Sequence, residues 1–483
     1  MATLLSDTYS FNLTLRNDEQ GDAYSTGLRY LDREPGLSEQ YNSSLSTSLN
    51  VVHAPATAVP SSPPPMPAVY SQMSSWNSNP RAVPVHSEQG PQPLLTESTR
   101  QHHNFLTTTL RAKPKGRFAQ VITELCIGSP SVARRQQTFP VEIDTGSGHL
   151  WVFGDSIRET ADDDNYPSGI VDSPAVFWQD IKGNTSQPIS DQVYPLFYAG
   201  GDVVRCKFWW DFILFAPSIP LEPTDPPPGI RMVFGVAEAV GEGFYNSPAS
   251  GILGLGRKLN EDTQRPTFVQ QLRKYLHTPE VTMLLGETKG SFVLGRRPTF
   301  RLPAGGKFGD WHENIPVVGN YWTVSSKTKT INGKTYPNAH GDASLDSGST
   351  LCYVDDEFAE AFYKYIPGSY SDESRHKTWY LPIDSSANPE VFFEIGGATM
   401  RLQHFHIPGA TPILGRGGRR FYHGAIQKKS TLFKFSDAQN MHAYTGPDIL
   451  GRVLLINMQV VLQMPADGKD TISWRAKPST FAG

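Results

Sequence analysis

Two textures divide the chain. From Phe118 onward, short apolar or alternating runs recur: Gln120–Ile127, Phe139–Ile143, Leu150–Phe153, Phe208–Phe215, Ile230–Val236, Ser291–Leu294, Tyr321–Val324, Val391–Ile395 and Val453–Leu462. Val, Ile, Phe, Trp and Tyr dominate these runs, and such branched or aromatic side chains fill a pleated surface. Glycine and proline punctuate the intervals, as at Gly128-Ser129-Pro130, Asn332-Gly333 and Gly396-Gly397. Many short strands separated by turn residues predict a mostly β chain. Two segments break the pattern. Thr267–Leu276 spaces Phe268, Leu272 and Leu276 four apart, which predicts an amphipathic helix. Asp355–Tyr365 predicts a second, with acidic residues in its first turn to suit the helix dipole.

Residues 1–116 read differently. The stretch 51–100 holds ten prolines and eight serines. Proline fixes φ and removes a donor, and serine offers little apolar area to bury, so an extended or disordered N-terminal extension is expected.

Composition narrows the function. At 483 residues and 38% apolar, the chain exceeds one compact domain and can bury a large core. A net charge of −4 argues against a broad basic surface, so no nucleic-acid partner is expected. No run of 18 apolar residues predicts a membrane-spanning helix. Three isolated cysteines (Cys126, Cys206, Cys352) make neither a disulfide-dense scaffold nor a C-x-x-C zinc pair. Met1–Leu15 shows no charged, apolar and small-residue succession of a secretory signal. The expectation is an intracellular protein as written, or a secreted or vacuolar one if further sequence precedes it.

The candidate chemistry lies in a duplicated pattern. Val141-Glu142-Ile143-Asp144-Thr145-Gly146-Ser147 is echoed by Ala343-Ser344-Leu345-Asp346-Ser347-Gly348-Ser349-Thr350. Each copy is a short strand running into Asp-Thr/Ser-Gly-Ser. Each is followed by an apolar pair and glycine: Gly254 closes Ile252-Leu253-Gly254, 110 residues after Asp144, and Gly451 closes Ile449-Leu450-Gly451, 105 after Asp346. One such loop is ordinary turn chemistry. Two, with matching downstream partners, predict two related lobes that each bring an aspartate to a shared cleft. Two carboxylates held close cannot both ionise cheaply, so the pair shares a proton. The ionised member can take a proton from water while the protonated one polarises a carbonyl. Ser147 and Ser349, three positions on, can orient the carboxylates.

These stretches resemble the pepsin-like aspartic proteases, in a divergent fungal-type form. Ile127-Gly128-Ser129-Pro130 is similar to the family's turn before the first catalytic strand. Asp144 to Val152 resembles DTGSxxLWV, Gly251–Gly256 the GILGLG segment, and Asp346–Thr350 the second catalytic loop. The resemblance covers residues 117–483. It implies a bilobal pepsin-like acid protease fold with a central cleft between two related β lobes, 117–304 and 305–483, after the extension 1–116. It implies Asp144 and Asp346 as the catalytic dyad, supported by Thr145, Gly146, Ser147, Ser347, Gly348 and Ser349. It also implies a flap with a substrate-contacting tyrosine, Tyr198 (Tyr194 as runner-up), beside Trp151. The expected activity is aspartic-type endopeptide hydrolysis by a monomer, on an extended peptide or protein substrate, without metal or cofactor.

Several residues depart from the family pattern. Arg452 follows Ile449-Leu450-Gly451 where an acidic residue is common, Ala199 replaces a flap glycine, and His149 stands where Asn or Ser is frequent. Two other readings therefore stay open: a pepsin-fold peptide-binding module, and an acid/base enzyme acting on a small molecule.

Overall fold

Pairing partners, more than local propensity, decide where strands begin and end in this chain. The computed structural model describes residues 106–115, 118–128, 138–154, 186–199, 202–215, 230–241, 247–257, 265–276, 278–287, 289–298, 306–372, 378–408, 410–437 and 440–478, with Ile157, Trp178, Phe244 and Phe300. The Pro/Ser-rich stretch and Gly200-Gly201, within the segment expected to form a flap, lie outside these residues.

The duplicated sequence motif is a duplicated strand arrangement. Thr138–Asp144 runs antiparallel to Phe118–Ile127 and parallel to Gly251–Gly254. Leu150–Phe153 then runs antiparallel to Gly251–Gly254 and parallel to Ile230–Ala239. The second copy repeats each step. Asp342–Leu345 lies antiparallel to Thr323–Ser325 and parallel to Asp448–Leu450. Cys352–Val354 lies antiparallel to Asp448–Leu450 and parallel to Ile426–Lys428. In both copies the apolar-apolar-Gly strand is inserted between the aspartate strand and its continuation. Close packing at those strand ends requires glycine: a Cβ on Gly451 would meet the Leu351 and Ser349 carbonyls, the latter at 2.5 Å. The chain is a mostly β, bilobal pepsin-like fold.

A continuous sheet joins the lobes. Glu280–Leu285 pairs with Lys289–Leu294 on one side and with Met458–Gln463 on the other. Thr471–Ala476 and then His312–Pro316 extend it. Leu106–Lys115 also enters this sheet, between Lys289–Leu294 and Phe118–Ile127. That strand falls within the span 1–116 assigned above to the extension, so the sheet starts ahead of residue 117. Its sequence, LTTTLRAKPK, has no apolar alternation. Main-chain pairing on both edges supplies what its side chains do not signal.

Buried apolar side chains fill both lobes, with Phe139, Leu253, Trp322, Phe358 and Trp474 among them. A smaller cluster gathers Trp151, Phe208, Val233 and Phe244. One buried exception is Lys329, fully enclosed, with Nζ 2.7 Å from Asp355 Oδ2 and 2.5 Å from Asp448 Oδ2. Lys429 joins the same two carboxylates at 2.6 and 3.3 Å. Cys126, Cys206 and Cys352 are free, buried thiols.

The helices follow the sequence reading in part. Asp356–Lys364 forms a helix capped at Asp355 and Tyr365, with Phe358, Ala359, Phe362 and Tyr363 buried. The other helix is shorter than the apolar spacing predicts: it covers Phe268–Leu272. Its start is a capping box, Thr267 with Gln270. Beyond Leu272 the chain tightens, Tyr275 N donating to Leu272 O at 2.9 Å. The four-residue spacing marks a buried face and not the end of helical hydrogen bonding. Val453–Leu462 is not one strand. Arg452–Leu455 is a helical turn N-capped by Gly451, and the strand is Met458–Gln463. Both pieces are buried, so an unbroken apolar run carries no period to tell helix from strand.

Candidate active site

The two Asp loops meet where the aspartate strands end. Their small second residues bind the loops to each other. Thr145 Oγ1 donates to Leu345 O at 2.8 Å, and Ser347 Oγ donates to Ile143 O at 2.8 Å. In return, Ser347 N donates to Thr145 Oγ1 at 2.8 Å, and Thr145 N to Ser347 Oγ at 3.2 Å. Four reciprocal hydrogen bonds thus tie residues some 200 positions apart. All four are buried, where the loss of one partner costs most.

This exchange presses each glycine against the opposite carboxyl. A Cβ on Gly146 would lie 2.8 Å from Cγ, Oδ1 and Oδ2 of Asp346. A Cβ on Gly348 would lie 2.5 Å from Cγ of Asp144. Only glycine leaves room for two carboxyls at this separation.

The two carboxyls are held differently. Asp346 accepts from Gly348 N at 3.0 Å and from Ser349 Oγ at 2.7 Å. Asp144 accepts from Gly146 N at 2.7 Å. Ser147 Oγ is buried near Asp144 and lowers its pKa, although it meets no ordinary hydrogen-bond geometry. Burial first, and then the charge of Asp346, push the Asp144 carboxyl well above the usual carboxylate range. A hydrogen bond with Asp346 adds to that rise. Two carboxyls coupled in this way favour sharing one proton.

Around the pair, the expected residues of the first lobe come together. Tyr194–Phe197 and Val203–Phe215 form an antiparallel hairpin, and Tyr198 N donates to Asp202 O at its turn. Tyr198 is buried and its hydroxyl accepts from Trp151 Nε1 at 2.6 Å. Both rings contact Phe244 edge-on at 5.3 Å. Burial, then the charge of Asp144, raises the Tyr198 phenol well above its usual pKa. Tyr194 packs on Phe208 instead and donates its hydroxyl to Gln192. His149, also against Phe208, is buried, and burial lowers its pKa to about 4.

Sequence reading missed one neighbour of the pair. Tyr321 is 51% exposed, yet the protein around it raises its pKa, with further contributions from Asp144 and then Asp346. The sequence shows only an aromatic at the head of a strand. Its place beside the carboxyls comes from the next residue, Trp322, whose Nε1 donates to Leu255 O of the first lobe at 2.6 Å.

Among the described residues, no group of three or more His, Cys, Asp or Glu could hold a metal ion, and no helix is long and apolar enough to cross a membrane.

Comparison with known proteins agrees with this architecture. Residues 230–408 match the family model described as eukaryotic aspartyl protease. A protein of Arthroderma otae described as an aspergillopepsin A-like aspartic endopeptidase is 30% identical over 185 residues, which is 36% of this chain and 41% of that one. The aspartic-type endopeptidase ctsD of Aspergillus fumigatus is 23% identical over 272 residues, 54% of this chain and 51% of that one. Aspergillopepsin-1 of Aspergillus oryzae is 22% identical over 413 residues, 81% of this chain and 92% of that one. The chain spans roughly two-fifths to one-half of the length of the first two. With the paired Asp loops and the repeated strand order, these matches make the chain similar to the eukaryotic aspartyl proteases, the family model itself covering residues 230–408.

Proposed function

We propose that this protein is an aspartic-type endopeptidase in which Asp144 and Asp346 hydrolyse a peptide bond through an activated water. The observation that carries the reading is the reciprocal Thr145/Ser347 exchange, which keeps two carboxyls in contact. In this reading Asp144 holds the shared proton and Asp346 is the base. The support is that burial favours a neutral Asp144, while Gly348 N and Ser349 Oγ fix the orientation of the Asp346 carboxyl. Asp346 removes a proton from water as it attacks the scissile carbonyl carbon. Asp144 gives its proton to the carbonyl oxygen. The proton taken by Asp346 then passes to the leaving nitrogen as the C–N bond breaks, and a hydroxyl on the same carbon returns its proton to Asp144 as the product carboxyl forms.

An extended peptide fits the cleft between the proposed lobes, with the sheet of 106–304 on one side and 305–483 on the other. Tyr198 is the proposed flap residue, fixed by Trp151. One chain supplies both aspartates, so a monomer suffices.

The test is cleavage of an unfolded protein such as denatured casein across pH 3–7, with Asp144→Asn and Asp346→Asn beside the wild type. Acid-dependent cleavage that both substitutions abolish is expected. A folded wild type that binds peptides without turnover would instead favour a binding module. Turnover of a small molecule, lost in Asp144→Asn, would favour the remaining reading.

A further inference from the structure

The segment that follows Gly254 reaches across to the second lobe. Leu255 N donates to Asp144 O at 2.7 Å, and Leu255 O accepts from Trp322 Nε1 at 2.6 Å. Trp322 O in turn accepts from Leu345 N at 3.0 Å. Trp322 therefore connects the backbone of Asp144 with the residue preceding Asp346. It closes a tight turn, 319–322, across which Val318 bridges Thr323, with Gly319 in the left-handed region at φ 70°. Tyr321 sits on that turn.

One first-lobe side chain holds this turn from outside. Arg257 Nε pairs with Asp470 Oδ2 of the second lobe at 2.6 Å. Arg257 Nη1 donates to Gly319 O at 3.0 Å. The guanidinium carbon stands 5.7 Å from the centroid of the Trp322 ring. The pair is mostly enclosed, with side chains 16% and 14% exposed. A surface ion pair is worth little, but a guanidinium with a carboxylate, a carbonyl and an aromatic face is geometrically committed.

We infer that Arg257, clasped to Asp470 and Gly319, is a positioning residue that sets the relative placement of the two catalytic carboxyls and of Tyr321. The inference rests on the aspartic-protease reading for its catalytic consequence, but its structural half stands apart from it. Loosening the clasp lets the lobes separate slightly at the dyad. Carboxyls farther apart interact less, so their two macroscopic pKa values converge and the window with one shared proton narrows.

The experiment compares Arg257→Met, Arg257→Lys and Asp470→Asn with the wild type in the full chain. Peptide hydrolysis is followed from pH 2 to 8, and amide hydrogen exchange is measured by mass spectrometry over 319–323. Arg257→Met is expected to lower kcat about 10- to 100-fold, the usual cost of misplaced reacting groups. Its pH bell narrows and exchange over 319–323 quickens about tenfold. Arg257→Lys, which keeps the pair with Asp470, recovers part of each. Should Arg257→Met fail to fold, Asp470→Asn carries the same signature in milder form. A bell of unchanged width, or unchanged exchange in a folded variant, overturns the clasp. If the folded wild type cleaves nothing, the protease reading fails, and exchange alone decides the clasp.

Discussion

Replacing Lys329 with methionine keeps its length and removes its charge from the enclosed four-charge cluster. Asp448, fully buried, then keeps Lys429 at 3.3 Å, beside the like charge of Asp355. Removing one member of a buried ion pair costs about 3–5 kcal/mol. Lys429 remains, so about 3 kcal/mol at pH 7 is expected. The loss is pH-dependent. Burial raises Asp355, but hydrogen bonds from Lys329 and Lys429 outweigh it and hold its pKa at about 2. Its contribution to stability is therefore present above the ordinary carboxylate value and lost as pH falls through about 2. Asp448 is raised, by burial against the pull of Lys329, so its ionisation opposes folding at neutral pH and ceases to do so once it takes a proton. Loss of Lys329 raises both carboxyls. The gap between wild type and Lys329→Met is thus widest above pH 6 and closes as the pH falls toward 2. Urea unfolding at pH 7, 5 and 3, in an Asp144→Asn background to prevent self-cleavage, reads this directly. A gap of full size at pH 3, or one below about 1 kcal/mol at pH 7, would refute the reasoning.

Three further outcomes follow from the site. Gly146→Ala sets a methyl 2.8 Å from the Asp346 carboxyl; the chain should fold by circular dichroism while kcat falls about 100-fold or more. Trp151→Phe deprives the buried Tyr198 hydroxyl of its donor; unfolding should cost about 1–3 kcal/mol less, with a several-fold rise in KM. His149 binds its proton only near pH 4 in the folded chain, below its unfolded value, so stability should rise with pH between about 4 and 6.5, by about 3 kcal/mol in total. His149→Gln should flatten that slope in thermal melts at stepped pH.

The meeting of the two Asp loops was legible because the motif is local. Asp-Thr/Ser-Gly-Ser needs a small residue beside each carboxyl, and the duplication made chance implausible. The strand Leu106–Lys115 was illegible because its sequence, paired by main chain on both edges, offers no apolar alternation to read. Lys329 was illegible for the opposite reason. A lysine in a strand reads as a solvent-facing position, and only contacts to residues 26 and 119 positions away enclose it. Arg257 and Asp470 lie 213 residues apart, and neither marks itself by spacing. The break at Ile456-Asn457 hid within an apolar run, where side chains carry no period.

The sheet that unites the lobes also sets an order of events during synthesis. Glu280–Leu285 finds its outer neighbour in Met458–Gln463, far along the chain. A ribosome adding about 5–20 residues per second needs roughly 10–35 seconds to make the intervening ~170 residues. Throughout that interval the first lobe presents an open edge, a row of unpaired N–H and C=O groups that another nascent chain can occupy. Synthesis of Met458–Gln463 is thus the event that seals the first lobe, and a truncation that removes this strand should aggregate through a lobe it does not touch.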